Sequence, residues 1–218
     1  MSDTTPASQP RLVVFAKAPQ PGFAKTRLIP ALGAQGAADL ARRMLTHTLN
    51  QALAANVGTV ELCMSPVPGA PAWADVDLPA GIERSDQGDG NLGERMARAV
   101  DRVSITLLQS VLLMGTDCPA LSAAHIARAA KALAQHDAVV FPVADGGYVL
   151  IGLRAPCPAV FTDMAWSTPT VAGETLRRMA ALNLRVWLGP QLHDIDEPAD
   201  LVHLPQTWPY GYSTIDKN

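Results

Sequence analysis

Two apolar runs, "DAVVFPV" (137–143) and "GYVLIGL" (147–153), are separated only by "ADG". A crossover between parallel neighbours takes a dozen or more residues, so these two strands either pair antiparallel or diverge. Elsewhere, strand-like runs alternate with segments of helical period. "RLVVFA" (Arg11–Ala16) reads as a buried strand by its β-branched content. Leu40, Ala41, Met44, Leu45, Thr48, Leu49, Ala52 and Leu53 recur at helical spacing, which predicts an amphipathic helix from Gln35 to Ala55. "GTVELCM" (Gly58–Met64), "GIERSD" (81–86), "SVLLMG" (Ser110–Gly115) and "LRVWLG" (184–189) are further strands, and residues 65–81 read as loop. "QGDGNLGERMARAV" (87–100) runs from a glycine loop into a helix. Ser122 caps a helix that reaches about Gln135. "STPTVAGETLRRMAALN" (167–183) is helical after its Thr-Pro start, and "DIDEPADLVHL" (194–204) turns into a short helix. The alternation predicts an α/β fold with a mixed, mostly parallel sheet and no internal repeat or dividing linker.

Composition narrows the class. The 218 residues suffice for one sizeable α/β domain. Hydrophobic residues at 48% against 17% charged indicate a globular chain rather than a disordered one. No apolar run approaches the ~20 residues of a membrane helix. The opening "MSDTTPASQP" (1–10) has neither the basic nor the apolar region of a secretory signal and reads as a disordered tail. Cys63, Cys118 and Cys157 are scattered and odd in number, forming neither a disulfide framework nor a zinc pattern, which points to a reducing cytoplasm. A net charge of -3 argues against nucleic acid as the main partner. The last segment, "PQTWPYGYSTIDKN" (205–218), carries a Trp and two Tyr. Two docking places are open to it: the body of the domain, or a partner subunit in a homo-oligomer.

Against this acidic balance, "FAKAPQPGFAKTRL" (Phe15–Leu28) holds Lys17, Lys25 and Arg27 and no acid. It follows the first strand. In open α/β sheets, ligands bind outside the carboxyl ends of the strands. Asp117 follows "SVLLMG", Asp145 follows "AVVFPV", and Asp194 and Asp196 follow "VWLG". Four carboxylates and two or three cations therefore converge on one rim. Carboxylates so close repel unless a cation sits between them. An oxygen-only ligand set suits Mg²⁺ or Mn²⁺. The metal and the loop cations would neutralise one polyphosphate from two sides.

Each piece also has a plainer reading. Lys17 fits a solvated loop lysine, Asp117 a turn cap before Pro119, and Asp194 a hydrogen-bonding support for its neighbour. Asp145, Gly146 and Gly147 fit a turn, although two glycines on a rim also suit close substrate approach. "NLGERM" fits a plain helix start with Glu94 in its first turn. Lys25 and Arg27 are harder to reduce to solvated charge, because Gly22 lets the backbone approach a ligand just before them. The loop is neither a P-loop, since the second glycine is missing before Lys25, nor a G-x-G-x-x-G dinucleotide turn.

In order, "AKAPQPGFAKTRL", "QGDGNLGERM", "LLMGTDCPAL", "DGGYVLIGL", "FTDMAWSTPTV" and "DIDEPADL" resemble a largely uncharacterised bacterial glycosyltransferase-like family. That family belongs to the nucleotide-diphospho-sugar transferase superfamily, with the GT-A fold, and the resemblance spans about residues 11–204. "AKTRL" and "DIDEPADL" are also similar to 2-phospho-lactate guanylyltransferases, and the latter to the D-T-P-E-D-L-like run of sugar-acid cytidylyltransferases. The resemblance implies a single-domain, three-layer α/β/α GT-A-like fold. It places donor phosphates at Lys25 and Arg27, with Lys17 beside them, and the base at Gln87, Gly88 and Leu92. It places a Mg²⁺ or Mn²⁺ at Asp117 and Asp196, with Asp194 alongside, and the acceptor at Asp145, Gly146, Gly147 and Tyr148. Lys25, Asp117 and Asp196 are its catalytic set.

Many GT-A glycosyltransferases carry D-x-D, whereas this chain reads Thr116-Asp117-Cys118. The single acid shifts the balance from glycosyl transfer out of an NDP-sugar toward nucleotidylyl transfer from an NTP to a small acceptor. The alternative is a non-catalytic nucleotide-binding sensor or scaffold. It needs no metal, and the presence of both Asp117 and Asp196 argues against it.

Overall fold

The computed structural model describes residues 9–208, in which a seven-stranded sheet is built from β1 (Arg11–Lys17), β2 (Val60–Ser65), β3 (Glu83–Asp86), β4 (Val111–Met114), β5 (Ala138–Pro142), β6 (Tyr148–Leu153) and β7 (Val186–Leu188). The strand order is β3-β2-β1-β4-β6-β5-β7. Every neighbouring pair is parallel except those of β6, which runs antiparallel to both β4 and β5. The three-residue link therefore closes an antiparallel pair, and β6 is inserted between β4 and β5. The helices are α1 (Ile29–Ala55), α2 (Leu92–Asp101), α3 (Ala123–Leu133) and α4 (Val171–Ala181).

The sheet is covered on both faces, which is why its central strands read as continuous apolar runs. Side chains alternate across the sheet, so Leu12, Val14, Leu62, Leu112 and Phe141 pack with Leu45, Leu49, Ile126 and Leu133 of α1 and α3. Val13, Leu113, Val140 and Ile151 pack instead with Met96, Val100 and Met179 of α2 and α4. Burying each such Leu, Ile or Val stabilises by about 1.5–3 kcal/mol.

A third, smaller cluster positions the rim. Leu28, Leu40 and Met44 close on Ile195, Leu201 and Leu204, joining the loop after β1 to the segment after β7. The start of the last segment docks on the body. The Trp208 ring meets His47 edge-on at 5.3 Å, and the Arg43 guanidinium lies over it at 5.8 Å. Most of the expected tails, residues 1–8 and 209–218, lie outside the described residues. No described helix is long and apolar enough to cross a membrane.

Two helix starts differ from the sequence expectation. The first helix begins at Ile29 rather than Gln35 and is kinked at Gly33 (φ 71°). Pro30 is tolerated in a first turn, and Leu28 and Leu32 draw that turn onto the third cluster. α4 begins at Val171 rather than directly after Thr168-Pro169, and the expected short helix after it is the single 3₁₀ segment Pro198–His203. The start of α4 is fixed from outside, by Ala172 N–H donating to Gly146 O at 2.8 Å.

Candidate functional site at the carboxyl-end rim

The loop after β1 turns at Gly22 (φ 81°) and again at Lys25, which adopts the left-handed conformation (φ 47°, ψ 46°). A non-glycine residue there is uncommon and mildly strained. The turn sends the lysine inward. Its Nζ lies 2.8 Å from Asp117 Oδ1 and 2.6 Å from Asp196 Oδ1, and the side chain is only 9% exposed. Burial lowers the ammonium's pKa, but the two carboxylates outweigh it and hold it above the ordinary lysine value. The backbones of the two acid loops are themselves joined, Ile195 N–H donating to Asp117 O at 2.8 Å. Asp200 accepts from the N–H groups of Asp196 (2.9 Å) and Glu197 (2.7 Å), which holds the D-E-P run in place.

Asp145, Asp194 and Asp196 each bring one carboxylate oxygen within 4.8 Å of the others. Two backbone bonds, Leu192 N–H to Pro142 O (3.0 Å) and Ala144 N–H to Leu192 O (3.0 Å), fasten the segment before Asp194 to the one before Asp145. Burial, then the charges of Asp145 and Asp196, push the Asp194 carboxyl up to about 6. The rim thus collects Asp117, Asp145, Asp194 and Asp196 around one buried cation, Lys25. The close triad consists of Asp145, Asp194 and Asp196, and Asp117 is joined to it through Lys25.

The remaining candidates divide. Arg27 is exposed, 3.9 Å from Glu197, and Lys17 is exposed at the end of β1. Gln87 turns inward, its amide donating to Ala16 O (3.1 Å) and Cys63 O (3.0 Å), so the side chain ties β1 to β2 instead of facing the rim. Gly88 (φ 70°) lies against Arg98, which donates to Gln87 O and to Asp89 O. Arg95 Nε donates to Gly90 O at 2.8 Å. These two arginines shape the glycine loop, and at helical positions in the sequence nothing distinguishes them from solvated helix charges. Leu92 is exposed at the head of α2.

At the β5–β6 link, Asp145 Oδ1 accepts from Gly147 N–H at 2.8 Å, and Asp145 stays exposed. Gly146 (φ 91°) touches Pro169 so closely that a Cβ would overlap its carbonyl, which gives this glycine a docking role for α4. Tyr148 points into the core, its hydroxyl buried beside Thr175, and burial pushes its pKa up. Cys118 is buried, with its thiol pushed up to about 11, so it offers no nucleophile.

This architecture is the fold of nucleotide-diphospho-sugar transferases. It superposes with TM-score 0.83 on a protein from Desulfovibrio desulfuricans G20 described as a "putative nucleotide-diphospho-sugar transferase", at 29% identity over 94% of this chain and 93% of that one. The fold alone is shared with Rv0371c from Mycobacterium tuberculosis H37Rv in complex with manganese (TM-score 0.53, 19% identity, 92% and 100% of the two chains). The same holds for 2-C-methyl-D-erythritol 4-phosphate cytidylyltransferase from Thermus thermophilus (TM-score 0.51, 19% identity, 89% and 96%). Among curated proteins none matches. The chain belongs to the family DUF2064, described as an uncharacterized protein conserved in bacteria, which matches residues 48–168. That span includes Asp117 and Asp145, while Lys25, Asp194 and Asp196 lie outside it.

Proposed function

We propose that the chain is a metal-dependent transferase acting on a nucleotide-borne donor, and that it transfers a nucleotidylyl group from an NTP to a small acceptor rather than a sugar from an NDP-sugar. The observation that carries this reading is the charge imbalance at the rim: four carboxylates around one buried lysine, beside a loop without acids. The donor set fits Mg²⁺ or Mn²⁺, because it is all oxygen and because burial and the neighbouring charges of Asp145 and Asp196 raise Asp194 to about 6, a strain that a cation would relieve. Asp117 and Asp196 would hold the ion, with Asp194 alongside and Asp145 beside it in the triad. When bound, the ion supplies charge neutralisation for a polyphosphate.

Lys25 and Arg27, with Lys17 at the mouth, grip the phosphates from the other side. The glycine loop from Gly88 and the exposed Leu92 take the base, and Asp145 and Gly147 border the acceptor. An acceptor oxygen attacks the α-phosphorus, the α–β bridging bond breaks, and pyrophosphate leaves. The chain's own contribution is positioning and electrostatics. The likeness of the fold to a cytidylyltransferase supports the nucleotidylyl reading, and the likeness to the Desulfovibrio protein supports the broader class.

Calorimetric titration with a panel of NTPs and NDP-sugars, with and without Mg²⁺, tests it. Metal-dependent binding and consumption of an NTP is the expected result. Consumption of an NDP-sugar alone would move the assignment to glycosyl transfer, and binding indifferent to metal would overturn the reading in favour of a sensor.

A further inference from the structure

The Lys25 ammonium stands where two demands meet. It uses Oδ1 of Asp117 and Oδ1 of Asp196, oxygens that the proposed function gives to a divalent cation, and the proposed function also sends it to donor phosphates. It cannot do both at once. The ammonium is also deeper than its partners: the Lys25 side chain is 9% exposed, against 47% for Asp117 and 38% for Asp196.

We propose that Lys25 is a tethered stand-in for the cation, closing the rim of the free chain and leaving Asp117 and Asp196 for donor phosphates when a divalent ion enters. This rests on the reading of the rim as a divalent-cation site. The exchange conserves charge pairing at each stage. The free chain keeps two carboxylates paired with one ammonium, and the entering ion takes over both oxygens. The released ammonium, on its flexible four-carbon stem, gains phosphoryl oxygens through charge-assisted hydrogen bonds. A cation arriving alone must break the lysine's two ion pairs with no new partner for it. The donor supplies that partner, so cation and donor strengthen each other's binding, and by linkage they do so reciprocally. Lys17 and Arg27 lie on the same loop and need no such exchange, since both are already exposed.

The test uses Mn²⁺ alone, followed by the electron paramagnetic resonance of the free ion, on the wild type, Lys25→Met and Lys25→Arg. Removing the competitor should tighten Mn²⁺ binding about tenfold or more, the worth of a charge-assisted bond, and Lys25→Arg should stay near the wild type. Mn²⁺ should also raise the melting temperature of Lys25→Met more than that of the wild type. A second measurement needs no variant. Amine acetylation read by mass spectrometry should find Lys25 shielded in the free chain and labelled once Mn²⁺ is added, with the exposed Lys17 as internal reference. Equal Mn²⁺ affinity in the wild type and Lys25→Met, or unchanged shielding of Lys25 while Mn²⁺ binds, overturns the exchange and leaves the cation site standing. Weaker Mn²⁺ binding by Lys25→Met also overturns it, because the lysine would then be aligning the carboxylates. No Mn²⁺ binding to any form removes both the exchange and the metal-dependent reading.

Discussion

Two charge clusters on this sheet differ in their balance. On β2, beside the edge strand β3, the Glu61 side chain is 1% exposed and receives Arg11, Arg102 and the Ser85 hydroxyl, while Arg11 also reaches Glu83. Two cations meet two anions there, and the carboxylate oxygens of Glu61 are fully engaged. At the rim, four carboxylates gather beside one buried cation, Lys25, which pairs with only Asp117 and Asp196. The carboxyl groups respond in opposite directions. Burial alone would raise the Glu61 pKa, but hydrogen bonds from Arg102, Ser85 and Arg11 outweigh it and hold the group below its ordinary value. Asp194 is pushed up to about 6 by burial and by its acidic neighbours. A matched cluster is complete without a ligand and contributes to the fold. A mismatched one is completed only by something that brings positive charge, which is the role the proposed function gives to a divalent cation.

Removing an acid from the matched cluster is expected to have the largest effect. Glu61→Ala removes the shared partner of the buried Arg11 and the partly exposed Arg102 and should cost about 3 kcal/mol in denaturant unfolding. The same group sets an acid limit. Because its folded pKa lies below the ordinary 4.5, its contribution is present above pH 4.5 and is lost as pH falls through the folded value. Glu61→Gln should flatten that part of the stability–pH curve, and an unchanged curve would show that other carboxyls carry it.

Next comes the proposed contact of the rim with a donor. Asp117→Asn should abolish metal-dependent donor binding with the fold intact, read by calorimetry and circular dichroism. Lys25→Ala should weaken NTP binding by about 1.5–3 kcal/mol, or roughly 10- to 100-fold. The loss should exceed that for the nucleoside and shrink as salt rises. Equal losses for nucleoside and NTP would make Lys25 a support for the loop.

The third effect is smaller and opposite in sign to that of Glu61. Asp194→Asn removes one like charge from the half-exposed triad and should stabilise the metal-free chain by about 1 kcal/mol, with solvent screening limiting the gain. Added Mn²⁺ should reverse the order of stability between variant and wild type. Destabilisation of the metal-free chain would place Asp194 with the matched cluster instead. The smallest change belongs to Arg27→Ala. Its 3.9 Å pair with Glu197 is more than 60% exposed on both sides, so stability should move by less than about 0.5 kcal/mol while NTP affinity falls.

Much of the frame was legible in the chain alone. The three-residue link forced β5 and β6 to be antiparallel if paired, Ser122 caps its helix as its type predicts, and the acid-free loop and four aspartates fall at strand ends. These features depend on local rules, since strand period, cap chemistry and minimum loop length are settled among residues a few positions apart. The inward turn of Gln87 was not legible, because its partners Ala16 O and Cys63 O belong to two strands that become neighbours only in the sheet. The docking role of Gly146 against Pro169 was hidden for the same reason.

The sequence by itself determined which elements form and which end of the sheet carries charge. Tertiary structure alone decided that β6 inserts between β4 and β5, that Asp145 joins Asp194 and Asp196, and that Lys25 bridges to Asp196 across 171 positions of chain. Local propensity cannot rank such pairings. They follow from burying both faces of one sheet and closing a small apolar cluster between Leu28 and Ile195, which brings the two charged loops to their final separation.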